Sequence, residues 1–308
     1  MTATNTHFTH GALLYDGLSG FLAGTLPFLT EAVGAGEPAL VAVEPQKAAA
    51  LRAALPEANG AVRYIDMTDI GRNPGRIISA WADFLTEHDT APRLRGVGEP
   101  VWPGRDVDEI DECQRHEALL NVAFADRPGF TLMCPYDRSQ LEVPVLAGAL
   151  ASHPLLLDDD RAVPSRGYDG RVAPFAGTLP EPHGDAEWID LDEHSLGDVR
   201  RHVTAATHAA GLDAERASNL ALAVTEAVTN SLRHADGNGE LRLWRHAGRV
   251  VCEVRDSGRI RDPLAGRLPV PLEEPRGRGL WLINQLCDLV QIRSSAAGNV
   301  VRMHMDRG

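Results

Sequence analysis

Glu226 and Asn230 lie four residues apart in the run Ala221-Leu-Ala-Val-Thr-Glu-Ala-Val-Thr-Asn-Ser-Leu-Arg-His-Ala235, so on a helix one side chain stands above the other. A carboxylate can take a proton and a carboxamide oxygen can ligate a hard cation, which together suit magnesium-dependent chemistry. Alone, the pair is also what an ordinary solvated helix face carries. Two later segments give it a context. Asp256-Ser257-Gly258 closes a strand-like run and offers an acceptor beside uncluttered backbone, which suits a flat, donor-bearing ring such as adenine. Arg276-Gly277-Arg278-Gly279-Leu280 is a glycine-rich turn that opens a helix. Backbone N–H groups and the positive end of a helix dipole favour phosphate there, and Arg276 and Arg278 add charge-assisted donors.

The elements that must position these residues are legible in the pattern. Leu220, Val224, Ala227, Val228 and Leu232 form one apolar stripe, which predicts an amphipathic helix capped by Asp213. A helix over 196–210 precedes it and breaks at Gly211. Residues 240–245 and 249–255 alternate apolar and polar around His246-Ala247-Gly248, which predicts an antiparallel hairpin. Residues 259–275 carry four prolines and no period, as expected of a mobile lid. A helix over 281–289 and strands over 291–294 and 300–305 finish the chain.

In that order the pieces resemble the Bergerat-fold ATPases, the superfamily of gyrase, the heat-shock-90 class of chaperone, histidine kinases and MutL. Within it, residues 188–308 are most similar to the anti-sigma factor serine kinases of the RsbW and SpoIIAB type. The resemblance implies a C-terminal α/β sandwich that binds ATP and Mg2+, with Asn230 as magnesium ligand and Glu226 as the base that activates a serine hydroxyl. It assigns the adenine amino group to Asp256, room for the ring to Gly258, and the phosphate lid to Gly277 and Gly279, beside Arg276, Arg278 and Leu280. The implied partners are an anti-anti-sigma protein of the STAS type and an alternative sigma factor, with Arg200 or Arg201 as a partner contact. One residue departs from the pattern: Ile260 stands where the family's DxGxG has its second glycine, which bears on nucleotide affinity and on the lid. A non-catalytic nucleotide-binding scaffold that only sequesters partners is therefore the alternative reading. His202 and His208 lie on a lone helix without a second dimerisation helix, which speaks against a histidine kinase.

The first half alternates short strands (11–15, 39–43, 62–65, 94–97, 130–135) with helices (19–33, 46–55, 74–86, 109–124, 143–152), the pattern of an α/β layer with a largely parallel sheet. Pro27 sits awkwardly inside the first helix. There is no GxxxxGK[ST] and no GxGxxG, and Gly34-Ala35-Gly36 follows a helix where a dinucleotide fingerprint would follow a strand. The chemistry-bearing residues are scattered: His10, Tyr15 and Asp16 around the first strand, Glu99 and Trp102 after the fourth, Glu117 in a helix, and Cys134, Tyr136 and Asp137 ending the fifth. Each is ordinary singly. As an ordered set, residues 10–15, 94–102, His116-Glu117 and 133–137 resemble the MEDS sensory domain of methanogen and methylotroph regulators. That resemblance covers residues 8–157. It implies a RecA-like α/β fold without a working phosphate loop, and a small-molecule ligand role for His10 and Cys134, with Tyr15, Glu99 and Tyr136 nearby.

A chain of 308 residues suits two domains. Residues 158–184, rich in Pro, Gly and charge with a short strand over 171–175, are the expected connector, giving domains 1–184 and 185–308. The net charge of -13 argues against a nucleic-acid surface. No apolar run reads as a membrane span or a signal core, and the four cysteines lack zinc-type spacing, so a cytoplasmic protein with reduced thiols is expected. A homodimer stays open.

Overall fold

The computed structural model describes residues 8–58, 60–158, 161–182, 186–192, 196–235, 239–270 and 277–307. Arg276 lies outside the described residues. The chain divides into two compact units, Met1–Val172 and Ala173–Gly308.

The first unit runs β1 (Thr9–Tyr15), α1 (Gly17–Ala35), β2 (Ala39–Val43), α2 (Pro45–Ala54), β3 (Val62–Asp66), α3 (Met67–Ile70), α4 (Ile77–Glu87), β4 (Leu94–Gly98), α5 (Val107–Ala123), β5 (Phe130–Asp137), α6 (Val143–Ser152), β6 (Leu155–Asp158) and β7 (Arg161–Pro164). The seven strands are ordered β3-β2-β4-β5-β1-β6-β7, and all pairings are parallel except β6 with β7. Helices cover both faces, so central strands such as β2 and β4 are buried throughout.

Strand parity sorts the side chains. In the parallel β1–β5 pair, His10, Ala12 and Leu14 stand level with Leu132, Cys134 and Tyr136, and therefore share one face. Tyr15 belongs to the opposite face, where it packs edge-on against Phe21 of α1 with ring centroids 5.5 Å apart. On the His10 face, Trp81 of α4 lies so close to β4 that a Cβ on Gly96 would fall 2.9 Å from its ring and 2.8 Å from Leu132.

Pro27 is tolerated because the face of α1 that it interrupts is exposed, so water can serve the Ala23 carbonyl that loses its donor. The helix ends on Gly36 at φ 67°, whose N–H reaches back to Ala32 and Val33. By length and composition α1 is apolar enough to cross a membrane, contrary to the expectation from sequence. It is instead the crossover between β1 and β2, strands of one sheet, and buries Phe21, Thr25, Leu29 and Ala32.

The second unit runs β8 (Glu187–Leu191), α7 (Leu196–Ala209), α8 (Ala214–His234), β9 (Gly239–His246), β10 (Arg249–Asp256), α9 (Gly279–Leu286), β11 (Leu289–Ser295) and β12 (Gly298–Asp306). Its strands form an antiparallel sheet ordered β11-β12-β10-β9-β8. Ala247 at φ 47° and Gly248 at φ 83° give the two-residue hairpin turn whose twist matches β9 and β10. The Asp213 side chain caps α8 by accepting from Arg216 N at 2.8 Å. Ala217, Leu220, Ala221, Val224, Ala227 and Val228 of α8 pack into a core with Val199 and Val203 of α7, Ile283 of α9 and the inner face of the sheet.

Three features differ from the sequence expectation. The expected connector contains β7, which pairs with β6 just before it, residues 171–175 form no strand, and β8 adds an edge to the second sheet. The latter part of the connector belongs with the second unit: Phe175 joins the core, its carbonyl accepts from Ser294 N (3.1 Å), and Glu181 pairs with Arg242 (2.7 Å) and Arg255 (3.0 Å). Helix α9 runs Gly279–Leu286, two residues earlier at its start and three at its end than the expected 281–289.

Gly96→Val should destabilise the first unit by about 1–3 kcal/mol through overpacking against Trp81, read as a lower urea midpoint. Gly34→Ala, at an exposed helical site with nothing within 4 Å of the added Cβ, should be neutral or stabilise by up to about 1 kcal/mol.

Candidate functional site

In the second unit, Glu226 and Asn230 are half-buried on α8 while neighbouring Ala227 and Val228 face the core. Asn230 abuts Gly279 at the start of α9, where a Cβ would sit 2.7 Å from its Nδ2. One turn further on, about 6 Å along the axis, the end of α8 meets the corner after β10. There Ser257 Oγ donates to the Ala235 carbonyl (3.4 Å), and a Cβ on Gly258 would lie 3.3 Å from the His234 carbonyl. Helix α8 thus touches both the glycine-rich turn and the aspartate corner.

A closed set of hydrogen bonds holds that corner. Asp256 Oδ1 accepts from Gly258 N (2.7 Å) and Asn299 Nδ2 (2.8 Å), so among the described residues Oδ2 is the oxygen left for an external donor. Asn299 Oδ1 accepts from Ser294 Oγ (2.7 Å) and Ile260 N (3.2 Å). A Cβ on Gly258 would fall 2.9 Å from both Asp256 Oδ1 and Asn299 Nδ2, so glycine is required where the backbone passes. Ile260 packs against the core and its N–H also reaches Ser294 Oγ (3.0 Å). The described part of the expected lid is therefore anchored at Ile260. It is anchored again where Asn284 Nδ2 of α9 donates to the Gly266 carbonyl (3.0 Å). Gly277 has φ 93°, and Arg278, the N-cap of α9, supplies no side-chain cap. Leu280 lies in the first turn of α9 against the core. Arg200 and Arg201 are exposed on α7, opposite buried Val199 and Val203, and Arg201 pairs with Asp198.

In the first unit the five expected sensory residues form two groups. His10 and Cys134 meet with Nε2 and Sγ 3.4 Å apart. Tyr136 joins them through His153, whose ring stands edge-on to it at 5.6 Å. Glu117 Oε2 lies 3.1 Å from His10 Nε2 and 3.3 Å from His153 Nε2. Burial, then the neighbouring His153, lowers the His10 pKa, while burial and the Glu117 carboxylate raise those of Cys134 and Tyr136. Tyr15 lies about 16 Å away along β1 and on the other face. Its hydroxyl donates to Glu99 Oε1 (2.5 Å), whose Oε2 accepts from Lys47 (2.7 Å). Burial pushes the Glu99 carboxyl up to about 7 against the pull of Lys47.

Where a phosphate loop would bring an anion to the start of α1, Gly17 N donates to Asp137 Oδ1 (3.2 Å). Burial alone would raise the Asp137 carboxyl, but bonds from Ser139, Gly17 and Gln140 hold it below the usual carboxylate range.

Residues 9–154 match the family described as MEDS, the MEthanogen/methylotroph, DcmR Sensory domain, and residues 189–305 match the histidine kinase-like ATPase domain. The chain joins a MEDS domain to a histidine kinase-like ATPase domain. No curated protein matches it. Among solved structures it is similar to the RsbU and RsbW domains of Rv1364c from Mycobacterium tuberculosis, at 18% identity and a TM-score of 0.31. That match covers 40% of this chain and 32% of the other, so the chain spans about a third of its length, and the likeness is too slight to carry an argument.

Asn299 and Ser294 of the ATPase domain and His153 of the MEDS domain complete these groups without a motif to announce them, and Glu117, read only as part of the His116-Glu117 motif, joins the His10 group. Asn299 and Ser294 face each other across the β11–β12 turn, and their polarity at the ends of apolar strands is the one signal available.

The Glu99 carboxyl gives the MEDS domain a pH signature. Between about pH 4.5 and 7 the folded protein holds a proton that the unfolded chain has released, so this group's contribution to stability falls as pH rises. Glu99→Gln should flatten the decline in urea-unfolding free energy over that window. An unchanged slope would mean that Glu99 ionises like an exposed carboxylate.

Proposed function

We propose that the protein is a signal-responsive partner-switch regulator, in which the ATPase domain binds Mg-ATP and phosphorylates a serine on a STAS-type anti-anti-sigma protein. The MEDS domain answers a small molecule, and the regulated output is the availability of a sigma factor in the cytoplasm. The observation that carries this reading is the position of α8, with Asn230 against the glycine that opens α9 and, one turn on, His234 beside the Asp256–Gly258 corner.

The residues fit a nucleotide. Gly258 lets the backbone pass tightly against a carboxylate whose second oxygen can accept from an amino group, and α9 offers an N-terminus without a side-chain cap. Bound Mg-ATP supplies the transferable phosphoryl group and the neutralisation of its charge. Asp256 orients the ring, and the first turn of α9 with Arg278 holds phosphate oxygens. Asn230 offers its amide oxygen to the metal. Glu226, on the same face of α8, takes the proton of the attacking serine hydroxyl, in a reaction where positioning and electrostatics supply most of the rate.

The second reading, a nucleotide-dependent scaffold without phosphoryl transfer, is favoured by Ile260. Its packing and its two N–H contacts stiffen the lid entrance where the related pattern has glycine.

Incubation with Mg-ATP and STAS proteins separates the two. Under the kinase reading, Glu226→Gln keeps nucleotide binding and loses transfer by at least about 100-fold, while Asn230→Ala weakens Mg-ATP binding at least about tenfold. Absence of transfer by the wild type, with partner binding unchanged in Glu226→Gln, would leave the scaffold reading.

A further inference from the structure

We propose that the MEDS domain holds a divalent transition-metal ion, zinc foremost, between His10, Glu117, Cys134 and His153. This inference is independent of the kinase reading. The four residues come from β1, α5, β5 and the end of α6, each about 1% exposed or less. Their candidate ligand atoms all lie within 4.8 Å of one another. Three of the edges are given above: 3.1 Å from His10 Nε2 to Glu117 Oε2, 3.3 Å from His153 Nε2 to the same oxygen, and 3.4 Å from His10 Nε2 to Cys134 Sγ. A tetrahedral zinc site with bonds of about 2.0–2.3 Å has ligand-to-ligand edges of about 3.3–3.8 Å, so these three edges are already close to those of a site, and the other three lie within 4.8 Å.

The hydrogen bonds behind the cluster decide which atoms face its centre. Asn121 Nδ2 donates to the Ser152 carbonyl (2.8 Å), which turns its Oδ1 toward His10 Nδ1 (3.1 Å). His10 therefore carries its proton on Nδ1 and presents a lone pair on Nε2. His153 Nδ1 lies 2.8 Å from the Ala149 carbonyl, which fixes the same tautomer. Two imidazole lone pairs thus point at one carboxylate oxygen in a buried setting, an arrangement that repels unless a cation sits between them. Glu117 Oε1 and His153 Nε2 have no hydrogen-bond partner among the described residues, as expected of atoms turned toward a ligand. An amide and a backbone carbonyl behind ligating imidazoles are the usual outer support of a metal site. Thiolate and carboxylate together cancel a 2+ charge, which removes the cost of burying it. The mixed N, S and O donors suit zinc or cobalt over magnesium or calcium.

The full chain should be expressed in medium supplemented with Zn2+ or Co2+, because the site is closed to solvent. Mass-spectrometric metal analysis should find about one ion per chain. The cobalt form should show tetrahedral d–d absorption and a thiolate-to-cobalt band that disappears in Cys134→Ser. Asn121→Ala removes no ligand, only the amide behind His10, and leaves the fold readable by circular dichroism. It should weaken metal retention against a chelator by about 10–100-fold. The proposal is overturned if the folded protein takes up neither ion. It is equally overturned if uptake is unaffected by both substitutions, or if nitrogen chemical shifts show an imidazolium at His10 or His153 filling the gap with a proton.

Discussion

The packing of the apolar stripe of α8 onto the five-stranded sheet is the interaction on which the second unit depends. Val224, Ala227 and Val228 are buried while Glu226 and Asn230 lie half-exposed between them, so the same 3.6-residue period that builds the core also aims the polar pair. Rotating α8 by one residue would bury Glu226 and Asn230 and expose the stripe. Core stability and site geometry are therefore one quantity here. The outer face of the sheet follows a different rule: Glu253, fully buried, is matched by Arg302 at 2.7 Å and Arg255 at 2.6 Å. A buried carboxylate must be satisfied in this way once the connector residues Pro180 and Glu181 cover it.

In the first unit the governing constraint is the period of two along the strands. It separates His10 from Tyr15, although both stand on β1, and it joins His10 to Cys134 and Tyr136, which are far away in the chain. Two buried polar groups result, one on each face of the sheet: the imidazole–thiol–carboxylate cluster, and the Tyr15–Glu99–Lys47 set toward its carboxyl edge.

The sequence made much of this legible because most elements announce themselves by period. The α8 stripe, the β9–β10 hairpin and the alternation of the first half all emerge as expected. The failures have physical causes. Strand β8 carries mostly exposed residues at a sheet edge, and β7 is exposed throughout, so neither has an apolar pattern to read. The sensory residues read as one set in the sequence, yet parity places them on two faces, and that sorting depends on a register known only once β1 and β5 are paired. His153 follows α6 with no spacing that relates it to His10, and only the topology brings their rings to 4.1 Å. Ile260 was readable as a departure from glycine, but its role in fixing the lid entrance needed Ser294 and Asn299 in place.

The contact between Gly17 N and Asp137 has a consequence for a chain that pairs two α/β units. Helix α1 of the MEDS domain carries its own permanent counter-ion at the end where a free phosphate would otherwise be drawn, with the Asp16 carboxylate next to it. The Asp16 carboxylate is in turn matched by Arg138 at 2.6 Å. The N-terminus of this crossover helix is thus served from within the fold, by a carboxylate that β5 brings to it.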